Sequence, residues 1–187
     1  MKDVIDFLFE AGFLKKLARS GFAYLGSGAE SVADHTCRTL YIAYVLGQMV
    51  EGADLGLLLK MCLFHDLPET RTGDLNYVNK KYVVADENKT LREMAERLPF
   101  GEEIASLITT FNARETLESR LANDADQLDL LLHLKEQADI GNPRAEPWIE
   151  VALERLLTEP ARQLARLALE TDSTDWWLRG REGSKKM

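Results

Sequence analysis

The stretch DLGLLLKMCLFHDLPET, from Asp54 to Thr70, decides the fold class of this chain. Asp54 can cap a helix, and the leucines, Met61, Cys62 and Phe64 that follow form a strongly apolar run. The spacing predicts a helix over about 55–67, with Pro68 disturbing it close to its end. The same run closes on His65-Asp66, a pair that taken alone is more often a surface or helix-end pair than a metal site.

Working outward, the periodicity is helical nearly everywhere. Val4, Ile5, Leu8, Phe9, Gly12 and Phe13 follow i, i+3, i+4 spacing and predict a first helix over about 3–18. Ser31-x-x-Asp34 resembles a capping box and opens a second helix over about 32–50, which Gly52 ends. Thr70 to Val84 carries Gly73, Asp74, Asn76 and Asn79 with no helical face, so it reads as an irregular connection long enough to be functional. Further helical patterns cover about 86–97, 101–114, 116–140 and 146–170, broken at Pro99, near Asn112-Ala113 and at Gly141-Asn142-Pro143. The expectation is one all-α domain of about seven helices over 1–170, followed by a polar C-terminal tail, 171–187, that contains Trp176-Trp177.

Composition bounds the function. At 187 residues and 45% hydrophobic content, one domain with a real core is expected. No segment reaches the roughly 18 consecutive apolar residues of a membrane span, and the acids in MKDVIDFLFEAGFLKK argue against a secretion signal. Two cysteines, Cys37 and Cys62, indicate no disulfide framework, so a cytoplasmic setting is expected. With 23 Lys plus Arg against 31 Asp plus Glu, the formal charge is −8, which disfavours gripping a nucleic-acid polymer. A small phosphate ester remains compatible if a few cations converge or a metal supplies the charge.

Two of the three histidines stand beside aspartates, as Asp34-His35 and His65-Asp66. A mixed set of imidazole nitrogen and carboxylate oxygen suits Mn, Fe, Co, Ni or Zn. Further along, ANDADQLDLLLHL places Asp124, Asp126 and Asp129 on a largely apolar helix, where a buried aspartate needs a partner or an ion. Spacing alone does not choose among those three.

The order H…HD…D, carried by ESVADHT, FHDLPETRTGDL and NDADQLD, resembles the HD-domain phosphohydrolases. Within them it looks most like the short proteins grouped with the 5′-deoxynucleotidases, from about Leu14 to Leu134. The resemblance implies that His35, His65, Asp66 and Asp126 hold one divalent ion (Mn, Co, Fe, Zn or Mg). It implies that Glu69, three residues after the HD aspartate, helps to activate the attacking water. Arg19-Ser20-Gly21-Phe22 stands for the family's Arg-x-Gly-Trp element, with Arg19 a phosphate or sugar contact and Phe22 an aromatic wall in place of tryptophan. Asp74, in Gly73-Asp74-Leu75, would meet the sugar hydroxyl, and Lys80 would hold the phosphate. Asn76-Tyr77-Val78-Asn79 replaces the prolines that usually follow. The implied activity is removal of the 5′ phosphate from a (deoxy)nucleoside monophosphate, by a chain whose relatives commonly form homodimers.

Each residue also has a plainer reading. Asp34 serves as a helix cap, Cys62 as core, and His133 as a satisfied core or edge histidine. Glu69 can be a helix-end acid, Arg19 a cation at the end of the first helix, Asp74 a turn former and Lys80-Lys81 a solvated pair. Asp124 or Asp129 can simply be solvated, and Trp176-Trp177 can cover an apolar patch of the bundle or of a partner subunit. Rival functions are hydrolysis of another phosphate ester or signalling nucleotide, or a helical binding protein without catalysis. Glu69-Thr70 stands where guanosine-tetraphosphate hydrolases carry an acidic pair.

Overall fold

A computed structural model of the chain describes residues 1–178. The helix that organises it is α8, Leu117–Asp139, the eighth in chain order. Thr116 and Ser119 start it with a reciprocal capping box, and Leu121, Ala122, Ala125, Leu128 and Leu131 are buried along it. Before it come α1 (Lys2–Phe13), α2 (Phe22–Leu25), α3 (Val32–Met49), α4 (Leu55–Phe64), α5 (Glu69–Thr72), α6 (Glu87–Arg97) and α7 (Gly101–Ala113). After it come α9 (Glu146–Glu154), α10 (Glu159–Glu170) and α11 (Asp175–Leu178). A 3-10 turn, Asn79–Lys81, interrupts the long connection after α5. The chain is all-α, as expected, and no described helix is long and apolar enough to cross a membrane.

The predicted apolar helix, α4, packs against α3 and α8, and their shared core holds Leu46, Leu58, Met61, Cys62, Leu121 and Leu131. A second cluster joins Leu14, Val32 and Leu67 to Met94 and Ile104 of the α6–α7 pair, and a third packs Phe22 and Leu25 on Leu134 and Ile149. The capping expectations hold: Ser31 and Asp34 form the box that opens α3, and Asp54 accepts from Leu57 N–H at the start of α4.

Three boundaries differ from the sequence reading. The first helix stops at Phe13 rather than near 18, because the chain from Leu14 to Arg19 pairs its backbone with 30–33 instead. Val32 N donates to Leu17 O and Arg19 N donates to Glu30 O, both at 2.9 Å. The apolar helix stops at Phe64, three residues early. Leu67 N and Glu69 N then donate to carbonyls three residues back, each at 3.0 Å, so His65 and Glu69 do not share a continuous helix. The last long pattern is two helices, which makes eight of nine or more residues among the described residues rather than about seven. The missed signal was Pro160, a residue suited to the first turn of a new helix. Trp176 is 84% exposed and covers no patch of this bundle. The remainder of the expected tail, 179–187, lies outside the described residues.

Candidate metal centre

α3, the turn after α4, and α8 each deliver part of one cluster. His35 stands one turn inside α3, His65 caps α4, Asp66 follows in the turn, and Asp126 lies mid-way along α8. His35 Nε2 is 3.2 Å from His65 Nε2 and 3.2 Å from Asp126 Oδ1. Asp66 Oδ2 is 3.2 Å from His65 Nε2 and 3.5 Å from His35 Nε2. Both histidines are buried, while Asp66 and Asp126 keep a partly exposed edge. His35, His65 and Asp126 thus bring their ligand atoms together, and Asp66 stands beside the two histidines.

The proton positions follow from the partners. His65 Nδ1 faces the carbonyl of Cys62 at 2.8 Å, and His35 Nδ1 faces Asp129 Oδ2 at 2.5 Å. A carbonyl and a carboxylate only accept, so each ring carries a hydrogen on Nδ1 and, in its neutral form, turns a lone pair on Nε2 toward the other ring. Two lone pairs and two carboxylates facing one another call for a positive charge between them. The electrostatics agree. For His35, burial and the Arg19 charge oppose protonation, but the bonds to Asp126 and Asp129 and the Asp66 charge lift its pKa to about 10. His65 is raised too, its burial outweighed by Asp66. Burial pushes Asp66 and Asp126 upward, yet the histidines, with Arg19 at Asp66, hold both down, Asp126 to about 2. An imidazole–carboxylate set of this kind fits a divalent cation as well as a proton.

The other sequence candidates surround this point unequally. Arg19 Nη1 donates to Asp66 Oδ2 at 3.3 Å from a partly buried position well past the end of α1, so it does not cap that helix. Glu69 opens α5, and its buried Oε2 has no hydrogen-bond partner. Burial, then the Asp66 and Asp74 charges, push its carboxyl up to about 9. Asp74 Oδ2 accepts from Ser20 N at 2.5 Å, and Ser20 Oγ donates back to Asp74 O at 2.8 Å, which clamps the Arg19-Ser20 loop to the connection. Lys80 is exposed, with no hydrogen bond or ion pair to the cluster. Phe22 is buried against His133, ring centroids 4.2 Å apart, beside a cleft of roughly 700 Å³ that Lys15, Lys16, Arg19, Ser27 and Glu30 also line. That cleft meets the cluster through Arg19.

The three aspartates of α8 have three different tasks, and neither Asp124 nor Asp129 is solvated. Asp124 is wholly buried and accepts from Leu157 N, Thr158 N and Thr158 Oγ1, which ties α8 to the joint between α9 and α10. Asp129 backs His35 and is itself held by Arg38 Nε at 2.5 Å. The sequence reading missed Arg38 and Glu30, and one signal was available: Arg38 is three residues after His35 on the same face of α3. Cys62 is core, and His133 is buried but keeps Nε2 without a partner.

A profile of the HD domain matches residues 11–167 of the chain. The chain is 28% identical over 148 residues to the 5′-deoxynucleotidase HDDC2 of Dictyostelium discoideum, covering 73% of this chain and 78% of that one. Among solved structures, a conserved hypothetical protein from Pyrococcus furiosus is 30% identical, with a TM-score of 0.75 over 89% of this chain and 97% of that one. A protein from Magnetospirillum magnetotacticum MS-1, described as a predicted metal-dependent phosphohydrolase, is 25% identical, with a TM-score of 0.71 over 90% of each.

Proposed function

The chain belongs to the HD-domain family, and on that premise we propose that it is a metal-dependent phosphohydrolase that removes the 5′ phosphate of (deoxy)nucleoside monophosphates. The observation that carries the reading is the clustering of His35 Nε2, His65 Nε2, Asp66 Oδ2 and Asp126 Oδ1 beside a partly buried arginine. These four side chains would hold one divalent ion, of the Mn, Co, Fe, Zn or Mg group. When bound, such an ion supplies Lewis acidity, polarising a phosphoryl oxygen and lowering the pKa of water toward roughly 7.

The remaining work falls to the chain. Arg19, already drawn to Asp66, offers further N–H donors to a phosphate oxygen and offsets charge that grows as the ester bond breaks. Glu69 handles the proton: in its ionised form its unpartnered Oε2 can receive a hydrogen from the attacking water, and once protonated it can return that hydrogen to the departing ribose oxygen. The floor of the adjoining cleft, with Phe22 seated on His133, gives a base an aromatic edge. Asp74 acts here by holding Ser20, and so sets the position of Arg19. Lys80 is free to reach the phosphate from the connection.

In this reading the chain works in the cytoplasm as a homodimer on a small nucleotide. Its acidic balance, −8, supports a small substrate over a polymer, and the exposed stripe Tyr41, Tyr44, Val45 and Met49 on α3 offers a face for a second copy. The test is phosphate release by metal-stripped protein over a panel of nucleoside monophosphates, with each divalent ion added back. Release that needs the ion and disappears in Asp126→Ala is expected. Metal binding unchanged in Asp126→Ala would remove the ligand set, and turnover of diesters but not monoesters would remove the nucleotidase assignment.

A further inference from the structure

The metal-site reading above leaves open what holds His35 in a ligating state, and on that reading we propose that Asp129 is its positioning residue. It keeps the His35 proton on Nδ1 and therefore the lone pair on Nε2. Asp126 and Asp129 are three residues apart on α8 and share a face. They meet the same ring from both ends, Asp126 Oδ1 at 3.2 Å from Nε2 and Asp129 Oδ2 at 2.5 Å from Nδ1. His65 fixes its own tautomer through a backbone carbonyl, Cys62 O, which no side-chain substitution removes. His35 depends on a side chain instead.

Asp129 is held in turn. Its Oδ1 accepts from Arg38 Nε at 2.5 Å, and its backbone carbonyl accepts from Arg38 Nη2 at 3.2 Å. Arg38 Nη1 then reaches Glu136 at 2.7 Å, so a line of bonds runs from the buried ring to the surface of α8. Each carboxylate oxygen of Asp129 thus has its own donor, and its side chain 1% exposed leaves no water to substitute for either.

This arrangement makes one substitution diagnostic. Arginine only donates, so an asparagine at 129 must turn its oxygen to Arg38 and its NH₂ to His35. His35 Nδ1 would then accept and the ring proton would move to Nε2, the nitrogen that faces Asp126 and His65. That tautomer has no lone pair to give a cation. Asp129→Ala offers His35 no donor and leaves the ring free to choose.

The experiment titrates Zn²⁺ into metal-stripped wild type, Asp129→Asn and Asp129→Ala, with ring ¹⁵N spectra of His35 and His65. Asp129→Asn should bind about 10–100-fold more weakly, with the His35 proton on Nε2 and His65 unchanged. Asp129→Ala should lose less. Wild-type affinity in a folded Asp129→Asn protein overturns the proposal, and equal losses in both variants overturn the tautomer argument. Should the variants fail to fold, the zinc-loaded wild type still decides: a His35 proton on Nε2 refutes the assignment. A wild type that binds no divalent ion refutes the metal-site reading itself, which the binding curve alone reports.

Discussion

Arg19 Nη1 lies 3.3 Å from Asp66 Oδ2, so the partly buried guanidinium named by the motif touches one of the four clustered side chains. A phosphate arriving there meets an arginine with donors to spare, in a fork that suits an oxyanion. Arg19→Ala should lower kcat/KM by about 10²–10³-fold while leaving metal content intact. Arg19→Lys should recover only part of this, because a point charge cannot reproduce the fork. Steady-state kinetics beside metal analysis checks both, and loss of metal in Arg19→Ala would move the arginine from substrate to scaffold.

Glu69 predicts a pH effect on stability. Its carboxyl is pushed up to about 9 from an ordinary value of 4.5, so between those values the folded chain binds a proton that the unfolded chain does not. Stability from this group is therefore present below pH 4.5 and lost as pH rises through about 9. In metal-stripped protein, Glu69→Gln should flatten that decline, its advantage over wild type growing toward pH 9 in urea titrations. The same variant should lose about 10²–10⁴-fold in kcat with little change in KM. A variant whose stability tracks wild type across the range would show that Glu69 is not protonated in the fold.

Asp124 predicts the opposite pattern. Removing its carboxylate leaves Leu157 N, Thr158 N and Thr158 Oγ1 without their acceptor at the α9–α10 joint. Asp124→Ala should cost about 2–4 kcal/mol by chemical denaturation, and the folded fraction should bind metal as wild type does. Impaired binding there would mean that Asp124 supports the centre directly.

Gly28 sits at φ +78°, and a Cβ added to it would come 2.6 Å from His133 Nε2. Gly28→Ala should destabilise by about 1–3 kcal/mol, from the left-handed backbone and that overlap together. Adding His133→Ala should return the part due to overlap, which a double-mutant cycle in urea measures.

Much of this was legible in the chain. The all-α class, the caps at Ser31 and Asp54, and the apolar α4 followed from periodicity and side-chain chemistry, because local signals agreed there. Asp126 could not be separated from Asp124 and Asp129 by spacing, since all three lie within six residues of one helix. What separates them is the atoms each meets: the α9–α10 joint for Asp124, the Nε2 side of His35 for Asp126, and His35 Nδ1 with Arg38 for Asp129. Those neighbours lie dozens of residues away, and no local pattern encodes them. The short first helix was missed for the same reason, as its last turn is replaced by pairing with residues 30–33.

α8 also carries a requirement on chain length. Asp124, Asp126, Asp129, His133 and Gln137 each meet their partners from one continuous helix, down to Ser27 Oγ donating to Gln137 Oε1 at 2.6 Å. One residue inserted between Asp124 and Gln137 would turn everything beyond it by about 100° and advance it by about 1.5 Å. Such a change uncouples these contacts together without altering a single side chain. The connection from Gly73 to Asp86 can lengthen or shorten as loops do, but this segment of α8 works as a ruler whose divisions cannot be recut.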